Sequence, residues 1–158
     1  MAMSKNGAVG TREESRVVNW LLAQGWSDAR RIEKNGNHDK GDVFWVKGVI
    51  IEVKHRRTTT SNAGLGQPGQ LELAGWMGEL EVETRNAGAL YGWLIVKRSG
   101  TTDVGQWWAY IPMWDLAHLW GVDLDSRTGI DAAPVCMTVA SAHGLMRSAY
   151  PIPDSVPF

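Results

Sequence analysis

The chain has 158 residues, of which 44% are hydrophobic, and its 16 basic and 17 acidic side chains give a formal net charge of −1. These values predict a single globular domain, and they argue against an intrinsically disordered chain and against a protein that is basic throughout to bind nucleic acid. The only cysteine, Cys136, excludes an internal disulfide and a cysteine-rich zinc site. The chain has no apolar run of about 18 residues and no visible signal peptide, so we expect a cytoplasmic protein without membrane spans.

The first predicted element is a helix over residues 12–24. Thr11 followed by Glu14 matches the capping pattern Ser/Thr-x-x-Glu, apolar residues then recur at helical spacing, and Gly25 is a typical stop. A short strand over 28–33 and a polar loop over 34–40 are expected next.

A β-hairpin is the next predicted feature. Two runs rich in β-forming residues, DVFWV and VIIEVK, are separated only by Lys47 and Gly48. Residues 58–69 are rich in Thr, Ser, Gly and Pro, which predicts a loop. The remaining predicted elements are a helix over 68–86, a buried strand over 89–97, a strand over 105–111 and a short helix over 112–120.

The order of these elements predicts an α/β fold with a central mixed β-sheet flanked by helices. Beyond Gly121 the pattern weakens, and the proline-rich end over 150–158 is expected to be irregular. We therefore expect a core over residues 1–112 and a C-terminal extension over 113–158 that packs on the same domain.

Three charged residues of the hairpin carry the functional hypothesis. Glu52 and Lys54 point to the same face of their strand, because side chains alternate. Counting from the turn places Asp42 opposite Val53, and a bulge or a bend at Gly41 would bring its carboxylate onto the face of the other two. Two carboxylates suit Mg²⁺, and an adjacent ammonium group suits a metal-bound water and a phosphodiester.

A surface hairpin with a cross-strand ion pair explains the same residues without any chemistry. However, Glu52 and Lys54 interrupt an apolar run that is expected to be buried, where charges need a partner or a metal.

Asp42, nine intervening residues and then Glu52-Val53-Lys54 resemble the signature of the PD-(D/E)XK nuclease superfamily. The first half of the chain is similar, more narrowly, to the archaeal-type Holliday-junction resolvases over about residues 10–112. The features that carry this resemblance, besides the signature, are Glu14 on the first helix, the Gly25-Trp26 pair, the 34–40 loop, Gln70 and the Val96-Lys97 pair. The chain departs from the family at Gly41, where the family has proline, and in a longer 68–86 helix; residues 113–158 match nothing in it.

The resemblance implies a restriction-endonuclease-like sheet and a metal-dependent nuclease that leaves 5′-phosphates. Asp42, Glu52 and the Val53 carbonyl would hold Mg²⁺ or Mn²⁺, and Lys54 would position the attacking water. Glu14 would complete the metal shell or a second metal site, and Gln70 would steer water or phosphate. Glu13 is the alternative to Glu14, which is preferred because it lies eleven residues before Gly25, as in the family.

Local charge supports contact with DNA although the total does not. Residues 1–100 carry 14 basic and 11 acidic side chains, a net of +3, whereas residues 101–158 carry a net of −4. The expected phosphate contacts beside the site are Arg12, Lys34, Lys40, His55, Arg56 and Arg57.

The favoured hypothesis is a Holliday-junction resolvase that acts on branched, four-way DNA as a homodimer, because a junction needs two symmetric incisions. The alternatives are a restriction-like or repair endonuclease that cuts duplex or flapped DNA, a non-catalytic nucleic-acid-binding module, and a plain α/β scaffold. A phage origin, with action in the host cytoplasm, is compatible with a nuclease of this size.

Overall fold

The computed structural model describes residues 5–34, 39–55, 66–122 and 133–151, with side chains of the first helix described from Gly10 onward. Within these ranges the chain forms an α/β fold with a six-stranded mixed sheet flanked by four helices. The elements in chain order are α1 (Lys5–Ala23), β1 (Arg30–Arg31), β2 (Val43–Val46), β3 (Val49–Lys54), α2 (Gln70–Asn86), β4 (Tyr91–Val96), β5 (Trp108–Pro112), α3 (Met113–Leu119), β6 (Pro134–Thr138) and α4 (Val139–Ala149).

The strands follow the order of the chain across the sheet, from β1 at one edge to β6 at the other. Only β3 and β4 pair in parallel, through the α2 crossover, and the other neighbouring pairs are antiparallel. All six residues of β4 are buried, as expected for a strand covered on both faces.

Each face of the sheet has its own apolar layer. On one face, Val17 and Leu21 of α1 and Met146 of α4 pack with Trp45 and Trp93 of the sheet. On the other face, α2 covers a smaller cluster of Ile50, Leu80, Leu94, Val96 and Tyr110. At the centre of this contact, a side chain at Gly92 would collide with Leu80 and Thr84, so the absence of a β-carbon lets α2 lie close to β4.

One predicted helix boundary is wrong, and two elements of the C-terminal segment were not predicted. The first helix begins at Lys5 instead of residue 12, so Thr11 lies inside the helix and does not cap it; the same spacing of Thr and Glu also occurs in a continuous helix. The C-terminal segment adds β6 to the sheet beside β5, and α4 follows it directly, although neither was expected from the sequence. At the start of β5, Trp107 is buried and Trp108 is half-buried, because adjacent side chains of an extended chain point to opposite faces.

None of the helices in the described ranges combines the length and the apolarity that crossing a bilayer requires.

Candidate functional site

The β2–β3 hairpin brings Asp42 and Glu52 onto one face of the sheet. Val43 pairs with Ile51, and the pairing shifts by one residue between Phe44 and Val46. Asp42 precedes Val43, so it lies opposite Glu52 instead of opposite Val53, as simple counting from the turn predicted. The shift agrees with the bulge that the sequence analysis offered as one of two possibilities, and both carboxylates lie on the face that α2 covers.

The backbone holds Asp42 firmly in a buried position. Asp42 is 4% exposed, and its Oδ2 accepts a hydrogen bond of 2.9 Å from the Val53 N–H. The Asp42 N–H donates to the Ile51 carbonyl at 3.0 Å, and Lys34 Nζ lies 3.4 Å from Oδ1. Both carboxylate oxygens therefore already have a positively polarised partner.

Gly41 explains the departure from the proline that the resembling family has before its Asp. Its φ is +86°, and a β-carbon there would lie 3.3 Å from the Ile51 carbonyl oxygen. Proline fixes φ near about −65°, so this turn into β2 excludes it. The Asp is presented here by a different backbone conformation.

Glu52 is the most perturbed carboxyl group at this site. It is 6% exposed, and Lys54 Nζ lies 2.9 Å from Oε1. Oε2 is buried and has no hydrogen-bond donor among the described residues. Burial, followed by the charge of Asp42, raises the pKa of Glu52 to about 9, so the group is protonated at neutral pH in the metal-free protein.

Lys54 contacts two acidic side chains, because Glu79 Oε2 lies 2.7 Å from Nζ and Glu52 Oε1 lies 2.9 Å from it. Burial alone would lower the pKa of Lys54, but the hydrogen bonds to Glu79 and Glu52 raise it above its ordinary value. Lys54 is therefore a stable ammonium group and not a ready proton acceptor.

Helix α2 supplies two acidic residues that the sequence reasoning missed. Glu79 and Glu83 are four residues apart, so they lie on one side of the helix. Glu83 is 6% exposed, and burial raises its pKa although a hydrogen bond from the protonated carboxyl group of Glu52 opposes this. The available signal was their spacing around Leu80, which marks the side of α2 that faces the sheet.

Glu14 and Glu13, the two alternatives on α1, have different surroundings. Arg31 binds Glu14 Oε2 through Nε at 2.9 Å and Nη2 at 2.6 Å. Burial and the charge of Asp42 raise the pKa of Glu14, so it belongs electrostatically to the cluster. Glu13 is fully buried, and Lys97 Nζ lies 2.8 Å from its Oε1. Burial acts to raise the pKa of Glu13, but Lys97 and its other cationic neighbours lower it overall.

We use the name carboxylate cluster for Glu14, Asp42, Glu52 and Glu83; Lys54 contacts it through Glu52. Gln70 does not join it. Gln70 is the exposed first residue of α2, nine residues before Glu79, which is about 14 Å along the axis and half a turn around it. That Gln70 steers water or phosphate stays a prediction; the α2 residues beside Lys54 and Glu52 are Glu79 and Glu83.

The expected DNA contacts are only partly described. Four of the six expected phosphate contacts are described, and all four are exposed: Arg12, Lys34, Lys40 and His55. The other two, Arg56 and Arg57, lie outside the described residues. Lys34 binds Asp42 and Arg12 lies 3.4 Å from Glu13. Arg31, which binds Glu14, was not among the expected site residues.

The residues of the carboxylate cluster fit a divalent cation in part. Over the described ranges, no group of three His, Cys, Asp or Glu side chains is spaced to hold a metal ion. A site built on two carboxylates does fit: Asp42 and Glu52 lie opposite each other, and Glu52 has a buried oxygen without a donor. Hard carboxylate oxygens are the ligands that Mg²⁺ and Mn²⁺ take, with water filling the remaining positions.

Comparison of the chain with known proteins found no matching family model, no matching curated protein and no matching solved structure.

Proposed function

We propose that this protein is a metal-dependent DNA endonuclease of the PD-(D/E)XK type, with the restriction-endonuclease-like version of its α/β fold. The observation that carries the proposal is the pair of opposed, buried carboxylates Asp42 and Glu52 with Lys54 on the same sheet face. Burying several acidic groups together is unfavourable for folding, and carboxyl groups with strongly shifted pKa values are concentrated at functional sites.

Asp42 and Glu52 are the residues that would hold Mg²⁺ or Mn²⁺, with the Val53 carbonyl as a further ligand. The resemblance also gives Glu14 a ligand role, but Arg31 binds Glu14, and the described residues offer no third carboxylate spaced for the same metal ion. The cation supplies Lewis-acid stabilisation of the charge that develops as a phosphodiester is hydrolysed. Loss of the Glu52 proton accompanies ligation, because a carboxylate and not a carboxylic acid binds metal.

Lys54 has an orienting role in this proposal. Its ammonium group stays charged because Glu79 and Glu52 raise its pKa, so it donates hydrogen bonds to water or to a phosphate oxygen. Val53 fixes the orientation of Asp42 through its N–H, and Arg31 does the same for Glu14.

The choice of substrate within this class rests on the resemblance to Holliday-junction resolvases. A four-way junction cut symmetrically near its branch point by a homodimer is the favoured substrate, and duplex or flapped DNA is the alternative. The exposed basic residues Lys34, Lys40 and His55 suit contacts with phosphate that do not depend on sequence.

One observation favours a candidate of another class, a nucleic-acid-binding module without catalysis. Lys54 is engaged by both Glu52 and Glu79, and the described residues contain no three-ligand metal group. In such a module, the carboxylate cluster would be a structural network centred on the ammonium group.

The discriminating experiment incubates wild type, Asp42→Asn and Glu52→Gln with four-way, flapped and linear DNA, in Mg²⁺ or in chelator. Glu81→Gln is the matched control, because Glu81 is exposed and pairs with the exposed Arg85 on α2. The proposal predicts Mg²⁺-dependent cutting by wild type and by the control, and none by the two site variants. Binding of DNA without cutting by any protein would favour the non-catalytic module, and cutting of linear duplex at a fixed sequence would favour a restriction-like enzyme.

A further inference from the structure

A cavity of about 480 Å³ opens on the sheet face that carries the carboxylate cluster. Phe44 and Ile50 of the hairpin line it, the segment 87–89 after α2 closes one side, and Arg30, Glu33 and Lys40 also line it. We call it the hairpin cavity. Pockets of about 300–1,000 Å³ are the size that holds small ligands.

The hairpin cavity lies next to the carboxylate cluster along both strands, and the cluster residues themselves do not line it. Phe44 shares a face with Asp42, and Ile50 shares that face with Glu52, because side chains two residues apart point the same way. Two residues of a strand span ~7 Å, which one nucleotide of an extended strand also bridges. A DNA strand whose cleaved phosphodiester lies at the carboxylate cluster therefore places its neighbouring nucleotide in the hairpin cavity.

Arg30 offers the cavity a planar cation. Its guanidinium carbon lies 3.9 Å from the centroid of the Phe44 ring, and Nη1 donates to the Asp28 carbonyl at 3.1 Å. Arg30 is exposed, so the guanidinium face turned away from the ring is accessible. Guanidinium planes and aromatic rings are the surfaces on which unpaired bases stack.

Lys40 adds a second cation, and the adjoining backbone is anchored: Asn86 Nδ2 of α2 donates to the Asp39 carbonyl at 2.9 Å. Glu33 is the acidic residue in the lining and Arg31 is paired with Glu14, so Arg30 and Lys40 leave the cavity with a positive balance. A bound nucleotide therefore places its phosphate at Lys40 and its base along the apolar side.

We propose that the hairpin cavity binds one nucleotide of the DNA strand beside the cleaved bond, with its base stacked on Arg30 and its phosphate at Lys40. The identity of the strand as substrate rests on the proposed function. A free nucleoside monophosphate presents the same base and phosphate, so the test separates these two sources.

The test measures binding of a labelled oligothymidylate in chelator, where cleavage does not interfere, to wild type, Arg30→Gln and Lys40→Gln. Arg85→Gln is the matched control, because Arg85 is an exposed arginine that pairs with Glu81 and does not line the cavity. Loss of one stacked base predicts about tenfold weaker binding for Arg30→Gln. Loss of one phosphate contact predicts a dependence of log affinity on log salt that is shallower by about 0.7 for Lys40→Gln.

Binding by both variants at wild-type affinity would overturn the proposal. Binding of thymidine 5′-monophosphate that the oligonucleotide does not compete away would also overturn the proposal, because the cavity would then bind free nucleotides and not the DNA strand. The experiments distinguish a failure of the cavity proposal from a failure of the nuclease proposal. Cutting that requires Glu52 but is unchanged in both cavity variants removes the cavity proposal alone, whereas weakened binding by the cavity variants without any cutting by wild type removes the nuclease proposal alone.

Discussion

Replacement of Glu52 by glutamine is expected to stabilise the metal-free protein at alkaline pH while abolishing DNA cleavage. Glutamine has nearly the same shape but no ionisation, so it removes the unfavourable burial of a charge beside Asp42. The pKa of Glu52 rises from an ordinary 4.5 to about 9 on folding. The protonated carboxyl group of Glu52 therefore contributes its full stabilisation below pH 4.5, and this contribution is lost as the pH rises toward 9.

The magnitude follows from the same two pKa values. Between pH 5 and pH 8 the unfolded state loses the proton that the folded state retains, and the wild type loses at most ~4 kcal/mol relative to Glu52→Gln. Urea unfolding in chelator at the two pH values measures this difference, and Glu33→Gln serves as the exposed control. Added Mg²⁺ at pH 8 should narrow the gap by stabilising only the wild type. A Glu52→Gln protein that shows the wild-type pH dependence, or that is less stable than wild type at pH 8, would refute the reasoning.

The remaining predictions concern the neighbours of the cluster. Glu13→Ala leaves Lys97 without its buried partner and should destabilise the fold by about 3–5 kcal/mol in urea unfolding; a change below 1 kcal/mol would contradict the ion pair. Gly92→Ala forces a β-carbon against Leu80 and should destabilise by about 1–3 kcal/mol in the same assay, whereas a neutral effect would mean that α2 does not pack closely on β4. Gln70→Ala should leave the cleavage rate within about twofold of wild type, because Gln70 is exposed and lies nine residues before Glu79 on α2. Since ~1 kcal/mol changes a rate about fivefold, a larger loss of rate would support the water-steering role that the family resemblance implies for Gln70.

The hairpin, α2 and the buried strand β4 were predictable because each has a strong local pattern. VIIEVK and YGWLIV are dense in β-forming residues, and the Lys47-Gly48 pair leaves only a tight turn between the hairpin strands. The mixed sheet with flanking helices followed from the order of these elements, and the structure confirms it at that level.

The C-terminal elements were not predictable on the same grounds. The strand β6 is only half-buried along most of its length, and α4 begins at the residue after β6 ends, without a loop that marks the change. A half-covered edge strand carries few apolar residues in regular alternation, so its existence depends on pairing with β5 and not on its own sequence.

The residues of the candidate site were likewise only partly predictable from the sequence. Asp42, Glu52 and Lys54 were found because two charges interrupted an apolar strand. The one-residue shift that places Asp42 opposite Glu52 arises from backbone geometry between Phe44 and Val46, which sequence counting does not contain. Glu83 was missed because, in sequence, it is one of several acids on α2; only the packing of that helix on the sheet buries it.

The most direct test of the central claim is single-turnover cleavage of a labelled four-way junction in Mg²⁺ by wild type and by Glu52→Gln, with junction binding measured in parallel. The account predicts Mg²⁺-dependent cutting by wild type, a rate lower by about 100-fold or more for Glu52→Gln, and unchanged binding. Cutting by Glu52→Gln at the wild-type rate would contradict the assignment of the site, and cutting by neither protein would contradict the nuclease function on this substrate.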